Sequence, residues 1–597
     1  MEIYGFELIK EQEIPEINSK VKLFRHMKTG AELLSVENDD ENKVFGITLR
    51  TPPPDSTGLP HIMEHSVLCG SSKYPVKEPF VELMKGSQAT FLNAFTYPDK
   101  TCYPVASQNL QDFYNLIDVY VDAVFHPLIP AETLQQEGWH YELDDPEQPV
   151  AYKGVVFNEM KGAYSSPESV LYREIQHSLF PDNAYGVDSG GDPRKIPDLK
   201  YEQFKRFHEK YYHPSNAFIY FYGDDDPDRR LELMDEYLQP YSRIEVESAI
   251  ALQPSFGGPL RLQLPYAAGE DEEKKTYLTV NWMLGETCDP YETLALSILN
   301  HILIGTPASP LRKALIDSGL GEDIAGMGME LDLRQAVFST GLKGIATEDA
   351  GKVEDLVRKT LEDLVVNGID PEMIAASMNT VEFRLRERNT GSFPRGLALM
   401  LASLMTWLHG GDPFTPLAFE GPLQTIKSQL ASGDRVFEGL MDRFLLRNPH
   451  QTILLLEPDP ELEQRMEEEE KQRLQKVQSE LSREELLELV EITRKLRERQ
   501  ERPDSPEALS TIPSLELSDL EKEVRKIPLE ILEHGGDKIL YHDLFTNGIV
   551  YLDLGFNLRR LPQEMLPYIS LFGRALLEMG TETEDFVRLA IRIGQKT

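Results

Sequence analysis

Apolar and polar residues alternate along Lys43-Val-Phe-Gly-Ile-Thr-Leu-Arg50, the period of a half-buried strand. A turn-rich stretch, Thr51-Pro-Pro-Pro-Asp-Ser-Thr-Gly58, follows it, and Leu59-Pro60 then opens a helix, since proline suits the first helical position. The same order returns downstream: 276–282 reads as a strand and 291–300 as a helix. Residues 538–553 read as a hairpin about Asn547-Gly548, a strong short turn signal. Between these units, 461–500 is rich in Glu, Leu, Lys and Arg. Ser482-Arg-Glu-Glu485 forms a capping box there, and Pro503-Asp-Ser-Pro506 ends the helix. The pattern predicts an α+β protein of repeated units joined by a helical hairpin. The expected boundaries are 1–250, a metal-free unit 255–458, the hairpin 459–515, and the start of a third unit, 520–597. A chain of 597 residues is too long for one core.

The predicted helix after the first strand carries His61-Ile-Met-Glu-His65, an H-x-x-E-H motif. Histidines at i and i+4 lie on one helical face, one turn apart, and can hold one metal ion. Glu64 is set to polarise water beside that ion instead of ligating it. A catalytic zinc needs a third protein ligand. Glu159, in Gly154-Val-Val-Phe-Asn-Glu-Met-Lys-Gly162, follows an apolar run that would deliver it on a buried element. Glu137, Glu142 and Glu168 are its rivals, and spacing alone does not choose among them.

Four stretches carry a resemblance to a known family. They are Leu59-Pro-His-Ile-Met-Glu-His-Ser-Val-Leu-Cys-Gly70, the segment 85–104, Val155-Val-Phe-Asn-Glu-Met-Lys-Gly162 and Asn389-Thr-Gly-Ser-Phe-Pro-Arg-Gly396. Together they resemble the presequence-protease branch of the pitrilysin-type (inverzincin) zinc metallopeptidases, relatives of insulin-degrading enzyme. The resemblance runs the length of the chain. It implies pitrilysin-type units, each an antiparallel-rich sheet packed with helices. It implies Zn2+ on His61, His65 and Glu159, and Glu64 as general base. It also sets Asn93 and Ala94 beside an edge strand that pairs with substrate backbone. The implied activity is hydrolysis of short, unfolded, basic peptides such as targeting peptides. Leu566-Pro-Tyr-Ile-Ser-Leu-Phe572 aligns with Leu59–His65 with the chemistry erased, Tyr568 falling on His61, Leu571 on Glu64 and Phe572 on His65. Family members continue past the point that matches Thr597, so a C-terminal half of the same protein is an expected partner. A zinc- and peptide-binding half that is silent without it is the alternative reading.

Composition narrows the partners. The formal charge of −39 would repel nucleic-acid phosphates and attract basic peptides. No run of eighteen apolar residues spans a membrane, and residues 1–10 show neither a signal nor a transit peptide. Three cysteines, Cys69, Cys102 and Cys288, suit a reducing compartment and the role of buried apolar fillers. The cytoplasm is the expected location, with the mitochondrial matrix or plastid stroma after removal of a transit peptide as the alternative.

Overall fold

The computed structural model describes residues 2–268, 275–524 and 526–597. Two sheets organise it. The first has nine strands. In spatial order eight of them are Glu2–Ile3, Phe6–Ile14, Ser19–His26, Glu32–Glu37, Ala217–Gly223, Lys43–Arg50, Lys100–Ser107 and the edge strand Ala89–Leu92. The ninth, Phe95–Thr96, also pairs with Lys100–Ser107. All the pairings are antiparallel except that of Ala217–Gly223 with Glu32–Glu37. The second sheet runs Leu260–Ala267, Gln451–Asp459, Thr276–Glu286, Gln335–Ile345 and Asp323–Glu330.

The strand Lys43–Arg50 departs from the half-buried expectation. Every residue in it but Arg50 is buried. Phe45, Ile47 and Leu49 face the core shared with the helices Leu59–Val67 and Leu110–Phe125. Val44, with Cys102, Tyr220 and Tyr222, faces the opposite side, where Leu397, Met400, Leu404 and Trp407 pack. Those four lie on Arg395–Trp407, a helix some 350 positions later in the chain. A sheet covered on both faces buries both sets of side chains, which local alternation cannot foretell. That cover helix falls inside the expected second unit, yet it packs on the first sheet.

The second sheet is backed by the helices Pro290–Ile304, Ala350–Asn367 and Pro371–Glu387. Two helices, Leu462–Glu480 and Arg483–Glu501, form the hairpin, and the Ser482–Glu485 capping box is present. The hairpin lies on the first unit. Thr493 Oγ1 accepts from Leu143 N–H at 3.1 Å, and Lys161 Nζ donates to Glu470 at 2.9 Å.

Residues 538–553 do not form the expected hairpin. The strands there are Glu530–His534 and Asp537–Tyr541, joined through Gly535-Gly536. Asn547 and Gly548 do adopt positive φ, 53° and 83°, the backbone of a tight type I′ turn. However, the Asn547 amide donates to the carbonyls of Glu16 and Arg386, so the turn docks on the body and no strand flanks it. Pro567 sits in a 3-10 turn, Gln563–Tyr568, and the α-helix begins only at Ile569. Leu571, Phe572, Leu576 and Leu577 of that helix are exposed.

Candidate metal centre

The motif helix, Leu59–Val67, starts where the strand Lys43–Arg50 and its turn deliver it against the core. Ile62, Met63 and Val67 are fully buried and fix its rotation. That rotation turns His61 and His65 outward together, their rings edge-on at 4.9 Å between centroids. Gly58, at φ 70°, caps the helix, and only glycine fits, because a Cβ would lie 2.7 Å from the Gly190 carbonyl. This close approach brings that carbonyl within 3.1 Å of His61 Nδ1.

Glu159 arrives on a second helix, Val155–Ala163, whose Val156 and Phe157 are buried. Gly154 starts this helix at φ 153°, with its Cα pressed on the Gly138 carbonyl; a Cβ would sit 2.1 Å away. Glu159 Oε2 lies 3.8 Å from His61 Nε2 and 3.9 Å from His65 Nε2. The donor atoms of His61, His65 and Glu159 all lie within 4.8 Å of one another. Ligands about 2.1 Å from a tetrahedral ion stand about 3.4 Å apart, so the trio is a slightly open form of such a site.

Both histidines are tied back through Nδ1, which leaves each Nε2 facing Glu159. For His65 the tie is Glu137, whose Oε2 is 3.4 Å from Nδ1. Glu137 lies in one wide turn closed by an i→i+5 bond, Trp139 N–H to the Leu134 carbonyl at 3.1 Å, a geometry that often marks functional sites. Gln136 Nε2 donates to its other oxygen at 2.9 Å, and the Cys69 thiol donates to that oxygen at 3.4 Å. Burial would lower the His65 pKa. Glu137, Glu64 and Glu159 outweigh it, and the net shift is upward. Glu137 is also buried, which raises its pKa, but the contacts to His65 and Gln136 bring it below the usual carboxylate value. Burial and the Glu137 charge push the Cys69 thiol well up and keep it protonated.

Glu64 is buried, 9 % exposed, on the inner side of the same helix. Its charge reaches His65 and the buried phenols Tyr103 and Tyr120. Asn93 and Ala94 lie between the edge strand Ala89–Leu92 and Phe95–Thr96, and the motif helix packs against the latter. Asn93 is exposed, Ala94 is buried, and Tyr120 Oη donates to the Asn93 carbonyl at 3.5 Å.

The structure therefore brings His61, Glu64, His65 and Glu159 together and separates the rivals. Glu142 binds Arg497 of the hairpin, and Glu168 binds Lys343 of the second unit. Glu137 stands behind His65. Cys69 is not a mere apolar filler, because its thiol supports Glu137. Sequence reasoning missed these two roles and that of Gly190. Glu137 lies 72 positions beyond His65 and Gly190 lies 129 beyond His61, and no local signal links either to the motif.

Three family models match. "Insulinase (Peptidase family M16)" covers residues 50–161 and "Peptidase M16 inactive domain" covers 198–381. The third, for a domain associated with one subgroup of the same peptidase family, covers 456–597. The chain is 53% identical over 602 residues to "Presequence protease 1, chloroplastic/mitochondrial" of Arabidopsis thaliana, covering 99% of this chain and 56% of that protein. It is 44% identical to "Protein HypA" of Clostridium perfringens, covering 99% of this chain and 61% of that one. It thus spans somewhat more than half the length of these relatives. Among solved structures, pitrilysin shares the fold at a TM-score of 0.54 with 17% identity, over 77% of this chain and 47% of that one. An M16-like peptidase structure from Alicyclobacillus acidocaldarius gives 0.53 at 16% identity, over 77% and 100%. The chain belongs to peptidase family M16, in its presequence-protease-like branch.

Proposed function

We propose that this chain carries the catalytic centre of a zinc peptidase that hydrolyses short, unfolded peptides. The observation that carries the reading is the convergence of His61 Nε2, His65 Nε2 and Glu159 Oε2, with both Nδ1 atoms already engaged. Two imidazole nitrogens and one carboxylate are a zinc-type donor set, and Glu137 and Gly190 fix the tautomers it requires. Zinc held there supplies Lewis-acid activation of water and of the scissile carbonyl. Glu64 takes the proton of the attacking water on its carboxylate and passes it to the departing amine nitrogen. Its buried setting on the motif helix holds it within one turn of both histidines.

Substrate adds as a strand along Ala89–Leu92, with Asn93 and Ala94 leading towards the motif helix. Such pairing reads backbone, so it accepts many sequences and requires an unfolded peptide. The surplus of 100 acidic over 61 basic residues favours basic peptides. "Presequence protease" in the names of several relatives supports the same class. Those names also support an organelle matrix as the compartment, while the bacterial relative supports the cytoplasm. A second reading rests on coverage. Relatives are matched over 56% and 61% of their length, so a zinc- and peptide-binding half that turns over only with further sequence fits as well.

Cleavage of a basic fluorogenic peptide by the wild type and by Glu64→Gln tests both. We expect both proteins to hold zinc and only the wild type to cleave, with the loss on the order of 100- to 10,000-fold. Equal turnover would remove Glu64 from the mechanism. Zinc and peptide binding without turnover in either protein would select the second reading.

A further inference from the structure

The stretch Asn389–Gly396, one of the four that carry the family resemblance, has no part in the metal centre. It lies on the opposite face of the first sheet. It leads into the cover helix Arg395–Trp407, and Gly396 is pressed so closely on the Tyr222 ring that a Cβ would sit 2.4 Å from it. Beside it is a cavity of about 370 Å³ between the cover helix, the helix Pro290–Ile304 and the end of Pro371–Glu387. Drug-sized ligands occupy cavities of roughly this size. Its wall is mostly apolar, with Leu294, Leu385, Ala402, Met405 and Phe419.

Two arginines, Arg384 and Arg388, also line it. Neither has a carboxylate within ion-pair distance among the described residues. The contrast is Arg386 between them, which is held by both Glu382 and Glu420. In a chain with 39 more acids than bases, two arginines left unpaired beside an apolar cavity call for a cause. Arg388 is the stronger case. Its backbone is left-handed, φ 44° and ψ 46°, its Nε donates only to the Leu385 carbonyl, and its guanidinium lies 6.0 Å from the Phe419 ring. The acid whose charge reaches it is Glu16, which is engaged by Glu420 N–H at 3.3 Å. Burial and the like charge of Arg395 push its pKa down to about 10.

Two more donors nearby lack acceptors. Tyr220, 1% exposed, has a buried hydroxyl with no hydrogen-bond partner, and Arg395 has a buried Nε with none. Both act electrostatically on Arg388 or feel its charge. A buried donor without an acceptor is costly, and several around one spot point to an absent anion.

We propose that this cavity binds an anionic amphiphile of the fatty-acid type, with its carboxylate on Arg388 and its tail along Leu385, Ala402, Met405 and Phe419. The ligand would bridge the cover helix of the first sheet and the helices of the second. A peptide is the poorer fit, since side chains form the wall and no strand edge lines it.

The test is binding of decanoate, below its micellar range, by calorimetry and thermal shift. Decanol serves as the uncharged control and acetate as the tailless one. Decanoate should bind the wild type and raise its melting temperature, and neither control should match it. Arg388→Met should weaken decanoate at least tenfold, and Arg388→Lys should recover part of the loss. Ala402→Phe, which fills the cavity and leaves every charge, should abolish binding in a protein that still melts cooperatively. Equal binding of decanol, unchanged affinity in Arg388→Met, or unchanged affinity in Ala402→Phe would overturn the proposal. So would the absence of decanoate binding to the wild type.

Discussion

The two sheet units each follow a buried central strand with a helix, yet the helices end in opposite chemistry. In the first, Lys43–Arg50 leads to Leu59–Val67, which turns His61 and His65 towards Glu159. In the second, Thr276–Glu286 leads to Pro290–Ile304, whose Leu294, Leu296, Ile298, Leu299 and Ile302 are buried with a single histidine, His301. Burial lowers the pKa of both His65 and His301. Around His65 three carboxylates reverse the shift. His301 has only the Ser377 hydroxyl at 3.0 Å and the field of Arg384, and its pKa falls to about 4. A histidine among carboxylates is kept available for charge and metal, whereas one among apolar groups and an arginine is a neutral piece of core. The unit, not the residue type, decides.

The largest effect that can break this comparison is metal loss. His61→Ala should lose stoichiometric zinc by metal analysis, while His301→Gln should keep it. Zinc loss in the second variant would mean that the two histidines are not functionally distinct.

Acid stability comes next. His301 has a folded pKa below its unfolded value near 6.5, so its stabilising contribution is full above pH 6.5 and fades as pH falls towards 4. The linkage amounts to about 3 kcal/mol at most. Urea unfolding at pH 7 and pH 4.5 should show a smaller loss in His301→Gln than in the wild type. An identical loss would assign acid sensitivity elsewhere.

Smaller again is the support behind the metal. Glu137→Gln should weaken zinc by about 10- to 100-fold in a chelator competition. Glu142→Gln, whose partner is Arg497, should leave zinc unchanged. At the bottom of the scale, a double-mutant cycle on the solvent-screened pair Lys161–Glu470 should return under about 1 kcal/mol.

Much of the first unit was legible because its signals are local. The H-x-x-E-H spacing, Pro60 and the apolar run before Glu159 each act within one element. What was not legible depends on the rest of the chain. Glu137 and Gly190 reach the motif through close glycine contacts at Gly154 and Gly58, and such contacts leave no periodicity. The strand Lys43–Arg50 is covered on its second face by a helix hundreds of positions away. Asn547-Gly548 forms its turn, but the Asn547 side chain spends its donors on Glu16 and Arg386, so turn chemistry did not imply a hairpin.

The central claim is that three side chains from two helices of the first unit hold one zinc ion, with Glu159 as the ligand that spacing could not choose. The most direct measurement is the zinc content of the wild type and of Glu159→Ala after dialysis against a weak chelator. We predict one zinc per chain in the wild type and none retained in the variant, with the fold intact by circular dichroism. A full complement of zinc in folded Glu159→Ala would contradict the account and return the choice of third ligand to another acid.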